Sequence, residues 1–542
     1  FAVTVQSAIA AGPSSPPLGW QSVVCPRGPG SCRLVDGASA PGAWAAARIE
    51  PDMSRDGWAK LWVRGIAANS GDEWYAAGFA EGALTARMIR QHYDSWYSVT
   101  FSKEKPFLEE TKAFLLDNYE FAQALVEDAA SDDPYYQRLN DLLMQVSGMF
   151  DGMQASAPAH ERLELHELLV LLAAGDLYDV IPATKPEAFA LRVGEIARDE
   201  FYHEWHRAVS CSALIKASPD LQHVFAGHTT WSFYENMLRI FKHFELSGSK
   251  VSYSSKPGLL YSKDDFYVLP SPAQRMIVIE TTNGIMDPTV YETISPSSLL
   301  TWQRIPVVNS LATRGEEWTE MFKRHSSGTY ANQWMVVDLK RWVGSRGPRP
   351  GFLWIIEVAG SKIAESMDVT AVFQAQDHAW PSYNIPYIES VYNATGFSKA
   401  YATYGDEYSY HRCPRRQIFD RDMGKIAKLE DLERILRYND FKHDPLSLGD
   451  AANAISARKD LNPNAIANGG IDTKVTSSDM VFGNDPVIAR AQNGPTHDDL
   501  PPFRWSTSKF AANVHDGQPD LFNFTFVSMH RDDLDGEIVS PQ

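Results

Sequence analysis

The feature that most constrains this chain is an abrupt change in the pattern of apolar residues at Cys211. Up to about residue 205, apolar side chains recur mostly at helical spacing, whereas short β-rich runs separated by Gly, Pro, Asp and Ser turns follow Cys211. Cys211 itself opens a buried-strand pattern at residues 212–216. This pattern predicts an α+β fold, with a helical portion at residues 1–210 joined to a sheet-containing core at residues 211–542.

A cysteine at the first position of a strand also suggests a concealed chain terminus. If the Ser210–Cys211 bond were cleaved, Cys211 would carry both a thiol and a free α-amine. Such an amine has a reference pKa of about 7.7–8.0, low enough to accept a proton at physiological pH. Nucleophile and base would then belong to one residue.

The pattern predicts individual elements as well. Helices are predicted at residues 73–93, 106–130, 133–149, 161–174 and 186–205. Gly78 and Gly82, on one face of the first helix, predict close contact with another helix. After Cys211 we expect strands at 212–216, 250–254, 266–269, 276–282, 333–339 and 352–358, helices at 233–244 and 429–438, and a loop-like region at 444–506.

Composition and charge exclude several classes of protein. The 542 residues carry 50 basic and 68 acidic side chains, a formal net charge of −18, so a nucleic-acid partner is not expected. No apolar run reaches the ~18 residues of a membrane-spanning helix, and we therefore expect no transmembrane segment. The oligomeric state is left open.

Several local signals favour the secretory pathway. Residues 1–12 are apolar and rich in small side chains, which predicts the tail of a secretory signal peptide. The sequons at Asn393 and Asn523 predict a glycoprotein of the secretory pathway. Cys25 and Cys32 flank a turn-rich loop that a disulfide bond could close.

The two remaining cysteines allow more than one interpretation. Cys211 and Cys413 form a disulfide bond with each other, or are buried thiols, or Cys211 is reactive. A turn at residues 218–220 would return the chain as a hairpin and bring His228 beside Cys211. His228 would then tune the thiol, or serve as a core histidine bonded to backbone. Trp231 would wall a substrate pocket or belong to the core.

Common catalytic motifs are absent from the sequence. There is no G-x-S-x-G nucleophile elbow, no phosphate-binding loop and no dinucleotide fingerprint. The histidine spacings do not match a zinc motif, so we expect no metal and no cofactor.

The segment Cys211-Ser212-Ala213-Leu214-Ile215-Lys216, followed by His228-x-x-Trp231, resembles the phospholipase B-like family. The resemblance continues through Asp264-Asp265-Phe266-Tyr267, Glu280-Thr281-Thr282-Asn283-Gly284, Ser327-Gly328-Thr329-Tyr330-Ala331-Asn332-Gln333-Trp334, Ser382-Tyr383-Asn384-Ile385-Pro386-Tyr387, Pro414-Arg415, His443-Asp444-Pro445-Leu446-Ser447-Leu448, Asn453-Ala454-Ile455-Ser456-Ala457-Arg458 and Gly517-Gln518-Pro519-Asp520-Leu521. The chain departs from the family pattern at Ala331, Cys413 and Arg504, none of which is Cys211.

The resemblance implies an N-terminal nucleophile hydrolase fold, an αββα sandwich of two antiparallel sheets. It implies self-cleavage between Ser210 and Cys211, with the N-terminal fragment retained by the core. By position, Cys211 would be the nucleophile, with His228, Trp231, Thr282 and Asn332 lining the site. The Asn332 amide would stabilise an oxyanion, unless it is only a turn residue, and Thr282 is otherwise a strand threonine.

Arg415 is a further candidate, able to hold a carboxylate or phosphate of the substrate. The expected activity is hydrolysis of acyl groups from phospholipids or related lipid amides by Cys211, with its own α-amine as base. Three alternatives stay open. The first is a catalytically silent, lipid-binding glycoprotein; the second is a thiol hydrolase with His228 as base and no cleavage; the third is a structural disulfide between Cys211 and Cys413.

Overall fold

The computed structural model describes residues 19–101, 107–128, 132–188, 191–208, 211–483 and 485–531. The fold is α+β. In chain order its strands and helices are β1 (Gln21–Val24), β2 (Arg33–Asp36), β3 (Ala43–Glu50), β4 (Ala59–Gly65), α1 (Ser70–Thr100), α2 (Glu109–Asp128), α3 (Pro134–Ser156), α4 (Leu165–Leu172), α5 (Leu177–Thr184), α6 (Arg198–Ala208), β5 (Ser212–Ala217), β6 (Val224–Phe233), β7 (Ile240–Leu246), β8 (Ser249–Ser255), β9 (Phe266–Leu269), β10 (Met276–Thr282), α7 (Thr301–Leu311), α8 (Gly315–Lys323), β11 (Asn332–Asp338), β12 (Leu353–Ala359), β13 (Ile363–Asp368), α9 (Thr370–Ala375), β14 (Ala379–Ser382), α10 (Glu389–Ala394), α11 (Phe397–Tyr404), α12 (Pro414–Asp422), α13 (Leu429–Leu436), β15 (Asn468–Ser477), α14 (Ser478–Phe482), β16 (Val487–Asn493), β17 (Phe503–Arg504), β18 (Leu521–Phe522) and β19 (Val527–His530).

Two large sheets organise the chain. An 11-stranded sheet has the order β13-β12-β11-β10-β9-β8-β7-β4-β3-β1-β2, and a 6-stranded sheet has the order β14-β5-β6-β15-β16-β19. Neighbouring strands are antiparallel except β4 and β7, which pair in parallel. Strands from before and after Cys211 therefore share the larger sheet.

Alternating side chains bury both faces of the central strands. Ile215 of β5, Ile279 of β10 and Met335 of β11 share one apolar cluster, to which both sheets contribute. The intervening residues point the other way: Trp334 of β11 packs in the cluster that includes α1 and α3, and Leu214 of β5 in the cluster that includes α12 and α13. Each sheet thus has one face toward the other sheet and one toward helices.

Most of the predicted elements are confirmed, with shifted ends. The strands predicted at 266–269 and 276–282 match β9 and β10. The helix predicted at 73–93 lies within α1, and the one predicted at 133–149 corresponds to α3, which begins one residue later. Residues 106 and 129–130, at the ends of the second predicted helix, lie outside the described residues. The helix predicted at 186–205 begins only at Arg198, and Gly194 has a φ of +81°, which interrupts helical geometry.

Three predictions are wrong. Residues 21–65, in the portion predicted to be mostly helical, contain β1 to β4, and the helix predicted at 233–244 is replaced by the end of β6, a single 3-10 turn and most of β7. Ile240 and Phe244 face one apolar cluster and Phe241 another, so a strand buried on both faces imitates helical spacing. The region predicted as loop contains β15, α14 and β16, because the polar residues of β15 are buried.

The close helix contact predicted at Gly78 and Gly82 is confirmed between α1 and α3. A Cβ added to Gly78 would lie 2.0 Å from the Gln145 carbonyl oxygen, and one added to Gly82 would lie 2.0 Å from that of Met149. The two backbones therefore approach so closely that no side chain larger than hydrogen fits.

The disulfide bond between Cys25 and Cys32 is also confirmed. Asn393 and Asn523, the two sequon asparagines, are both exposed. Among the described residues, no helix is long and apolar enough to cross a membrane. The segment predicted as the tail of a signal peptide lies outside the described residues.

Gly82→Ala tests the helix contact. Although alanine favours helix, we expect the new methyl group to lower the free energy of unfolding by about 1–3 kcal/mol, because it meets a fixed backbone carbonyl. The matched control is Gly424→Ala, where the nearest atom to the new Cβ is 3.8 Å away. Thermal unfolding followed by circular dichroism measures both, and equal midpoints for the two variants would contradict the contact.

Candidate active site

Cys211 stands at the start of β5, fully buried, with a strained backbone. Its φ is +91°, a conformation that non-glycine residues adopt at a cost of about 1–3 kcal/mol. Its carbonyl oxygen accepts a hydrogen bond of 2.8 Å from Arg415 Nη1. Arg415 comes from the first turn of α12, so contacts distant in sequence hold Cys211 in this conformation.

His228 lies beside Cys211, as the hairpin prediction requires. β5 and β6 pair antiparallel with Ala213 opposite His228. A ring nitrogen of His228, Cys211 Sγ and a carboxylate oxygen of Glu280 all lie within 4.8 Å of one another. All three side chains are completely buried.

Lys474 of β15 fixes the protonation of His228. Its Nζ lies 2.9 Å from His228 Nδ1, 2.5 Å from Thr230 Oγ1 and 2.6 Å from Asp472 Oδ1. An ammonium group has three donors and no acceptor, so Nδ1 must accept and the ring proton resides on Nε2. Burial lowers the pKa of His228 well below its ordinary value and the charge of Lys474 acts in the same direction, so the ring is a neutral donor.

Cys211, His228 and Glu280 together offer the ligand atoms that zinc prefers: sulfur, imidazole nitrogen and carboxylate oxygen. In His228, however, the Nδ1 lone pair is engaged by Lys474 and Nε2 carries the proton. The geometry therefore gives a zinc ion no free imidazole lone pair, and we assign no metal here.

The Cys211 thiol is held neutral. Burial raises its pKa well above the ordinary value, and the negative charges of Glu280 and Asp264 add to that effect. A backbone hydrogen bond from Trp231 and the charge of Lys474 oppose it without reversing it. In the intact chain, proton removal from Cys211 requires a nearby acceptor.

The other predicted site residues are connected to Cys211 through Arg415. The guanidinium of Arg415 lies 4.6 Å from the centre of the Trp231 ring, and its Nη1 donates to Asn384 Oδ1 at 2.7 Å. Asn384 Nδ2 in turn donates to the Thr282 carbonyl oxygen at 2.6 Å. The structure thus brings Trp231, Thr282 and Arg415 to one place.

Asn332 stands opposite Thr282 in the pairing of β10 and β11. It is completely buried, and neither its amide nitrogen nor its amide oxygen has a hydrogen-bond partner among the described residues. Asn283, the residue after Thr282, is in the same condition. Unpaired buried amides are costly, and both can bond a negative charge that develops on a substrate.

Sequence reasoning assigned no role to Glu280, Asn283, Asn384 or Lys474. A signal was present for Glu280, a charged residue inside an otherwise strand-like run, whereas Lys474 lies in the region predicted as loop. Buried charges of this kind are rare unless paired, and they often mark functional sites.

The site is closed in the intact chain. A cavity of about 10 Å³, too small for a substrate, lies next to Arg415 and has Trp205 of α6 as one wall. Trp205 also packs so tightly on Gly284 that an added Cβ there would lie 2.3 Å from its ring. The helix that precedes Cys211 therefore covers the end of the segment that carries Glu280 and Asn283.

Cysteine reactivity tests this geometry. Cys211 and Cys413 are unpaired and buried, so the folded intact chain should react with no thiol reagent, and the chain in concentrated urea without reductant should react at two thiols. Mass spectrometry after iodoacetamide counts the modified sites. A chain without free thiols in urea would instead support the disulfide between Cys211 and Cys413.

Comparison with known proteins identifies the family. The Phospholipase B family model matches residues 45–529. "Phospholipase B-like protein A" of Dictyostelium discoideum is 35% identical, over 90% of this chain and 88% of that protein. "Phospholipase B-like 1" of Bos taurus is 36% identical, over 84% of this chain and 82% of that protein. With this coverage, the chain belongs to the phospholipase B family.

Proposed function

We propose that this protein is an N-terminal nucleophile hydrolase that cleaves its own Ser210–Cys211 bond and then hydrolyses acyl groups from phospholipids or related lipid amides. One observation carries the proposal: Cys211 is strained at φ +91° and fully buried, with its thiol within 4.8 Å of His228 and Glu280. The two facing sheets with helices on their outer faces are compatible with the αββα sandwich of that class.

In the first stage, the Cys211 thiol attacks the Ser210 carbonyl carbon, and water hydrolyses the resulting thioester. Ser210 itself lies outside the described residues. The strained φ of Cys211 supports this stage, because cleavage releases the backbone from that conformation. The product is a chain that begins with Cys211 and has a free α-amine.

In the second stage, the α-amine accepts the thiol proton and the thiolate attacks the acyl carbon of a lipid. The unpartnered amides of Asn332 and Asn283 are candidate donors to the oxyanion. His228, with its proton on Nε2, acts as a donor rather than as the base, which disfavours a mechanism without cleavage. Water then releases the acyl group.

We assign Arg415 to positioning the nucleophile and Trp231 to lining the substrate site. Because Arg415 donates to the Cys211 carbonyl, we assign it to positioning the nucleophile in addition to binding substrate. Trp231 stacks against its guanidinium, and Thr282 is joined to it through Asn384; both are proposed to line the substrate site.

The fragments should remain associated after cleavage. β4 from the first fragment pairs with β7 from the second, and α1 and α3 pack on the same sheet. Separating them would break a sheet ladder and expose that core. A secretory destination, lysosomal or extracellular, is supported by the Cys25–Cys32 disulfide and the exposed sequon asparagines Asn393 and Asn523.

We take the substrate class from the family name, which indicates phospholipid esters. A thiolate could attack the acyl carbon of an amide in the same way, so lipid amides belong to the proposal as well. A second candidate function is a catalytically silent lipid-binding glycoprotein. The complete burial of Cys211, His228 and Asn332 favours it as long as nothing opens the site.

Self-cleavage is tested by N-terminal sequencing of the secreted protein after incubation over a range of pH. We expect a fragment that begins Cys-Ser-Ala-Leu, absent from Cys211→Ala. The two fragments should co-elute in native gel filtration and separate in denaturant. An uncut wild-type chain, or cutting that persists in Cys211→Ala, would contradict autocatalysis.

Catalysis is tested on the cleaved protein with vesicles of phosphatidylcholine and with a long-chain N-acyl amide. Asn332→Leu should lower kcat by about 10²–10³-fold, the usual effect of losing an oxyanion donor. Asn309→Leu on α7, which removes another buried amide, is the matched control. Absence of acyl release from fully cleaved wild type on both substrates would favour the lipid-binding function.

A further inference from the structure

The cleavage step lacks the base that the mature enzyme would use. Before the Ser210–Cys211 bond breaks, the nitrogen of Cys211 belongs to an amide, whose lone pair is delocalised into the carbonyl. It therefore cannot accept the thiol proton. The thiol is buried and neutral, so some other group beside it must accept that proton.

Two of the neighbours of Cys211 are unsuited to this role. The only unprotonated ring nitrogen of His228 is Nδ1, and it already accepts a hydrogen bond from Lys474. Lys474 donates to three acceptors and has no lone pair to offer while it is charged.

Glu280 has the required lone pairs. Its Oε1 accepts hydrogen bonds of 3.1 Å from both the Asp265 backbone nitrogen and the Tyr330 hydroxyl. Its Oε2 is buried and has no hydrogen-bond partner among the described residues. A carboxylate oxygen of Glu280 lies within 4.8 Å of Cys211 Sγ, a separation that one water molecule can bridge.

The hydrogen bonds around Tyr330 indicate that Glu280 can also hold a proton. The hydroxyl oxygen accepts from Asp264 N at 2.8 Å and contacts Asp265 Oδ2 at 3.0 Å and Glu280 Oε1 at 3.1 Å. The Tyr330 hydroxyl thus donates to both carboxyl groups, and it has one proton with which to do so. A proton held by Asp265 or Glu280 would relieve this shortage, so the contacts favour a carboxyl pair that can take up a proton.

The surrounding charges are consistent with this sharing. Burial raises the pKa of Glu280 well above its ordinary value and the charge of Asp265 adds to the effect, while burial raises the pKa of Asp265 to about 7. The charge of Asp264 raises the pKa of both carboxyl groups further, although Lys256 and Lys263 form ion pairs with it.

We propose that Glu280 transfers the proton in self-cleavage, taking it from Cys211 Sγ, directly or through one water, and delivering it to the Cys211 nitrogen. The Sγ–C bond to Ser210 forms as the proton leaves sulfur. The C–N bond breaks as the same proton arrives on nitrogen, leaving a thioester and a free amine. One water then hydrolyses the thioester to the Ser210 carboxyl group and the restored thiol. This inference rests on the proposed self-cleavage.

Glu280→Gln is the direct test, with Glu357→Gln as matched control. Glu357 is also a completely buried strand glutamate, but it accepts its hydrogen bonds from Gln333 and the backbone of Tyr387 and Ile388. In pulse-chase of secreted protein, the rate of appearance of the fragment should fall at least about 100-fold in Glu280→Gln and stay within a few-fold of wild type in Glu357→Gln. Cleavage of Glu280→Gln at the control rate would overturn the proposal.

Two further variants keep the test decisive if Glu280→Gln does not fold. Glu280→Asp retains a carboxylate on a side chain that is shorter by one methylene group. The carboxylate then lies farther from Cys211 Sγ, so this variant should cleave more slowly than the wild type. Tyr330→Phe removes a hydrogen bond that lowers the pKa of Glu280 and of Asp265. Less carboxylate is then present at a given pH, so the rising limb of the cleavage rate should move to higher pH.

Wild-type rates and pH profiles in both Glu280→Asp and Tyr330→Phe would overturn the role of Glu280. If the wild type itself does not cleave, the proposal of self-cleavage is contradicted, and this inference is contradicted with it. Thermal midpoints of all variants show which of them fold.

Discussion

The burial of ionised side chains around Cys211 is the constraint on which the rest of the structure depends. Arg239, Asp472 and Lys474 are fully buried, and Asp472 lies 2.8 Å from Arg239 and 2.6 Å from Lys474. Burial alone would raise the pKa of Asp472, but the two cations outweigh it and keep the carboxylate charged. Leaving one of these charges without its partner costs several kcal/mol, so β6, β15 and Arg239, which precedes β7, must keep one relative position. That position holds His228, which the pairing of β5 and β6 places beside Cys211.

Cys211 lies between two groups of opposite charge. On one side, Lys474 stabilises a thiolate; on the other, Glu280 and Asp264 oppose it, and burial favours the neutral thiol. A thiol in this setting stays protonated, and therefore unreactive, unless a neighbouring group accepts its proton. The packing of α6 adds a second restraint, since Trp205 lies against Gly284. The structure thus assembles the candidate site residues but keeps them covered.

Much of the fold was predictable where the signal is local. The hairpin of β5 and β6 follows from two short apolar runs around a turn, and the α1–α3 contact follows from Gly78 and Gly82. Prediction failed where tertiary burial reverses a local signal. β7 is apolar on both faces and imitates a helix, whereas β15 is polar but buried and imitates a loop. The strands at residues 21–65 were missed as well; β4 is joined to the sheet by β7, which is remote in sequence.

By itself, the sequence determined the family, the candidate nucleophile Cys211, its neighbour His228 and the disulfide between Cys25 and Cys32, because each depends on residue identity or on short-range spacing. Only the tertiary structure decided the φ of Cys211, the ring nitrogen that carries the His228 proton and the approach of Glu280. These depend on Arg415, Lys474 and Tyr330, which are distant in sequence and meet only when the sheets pack. The physical reason is that a buried polar group takes its properties from its partners, and the partners are chosen by the fold.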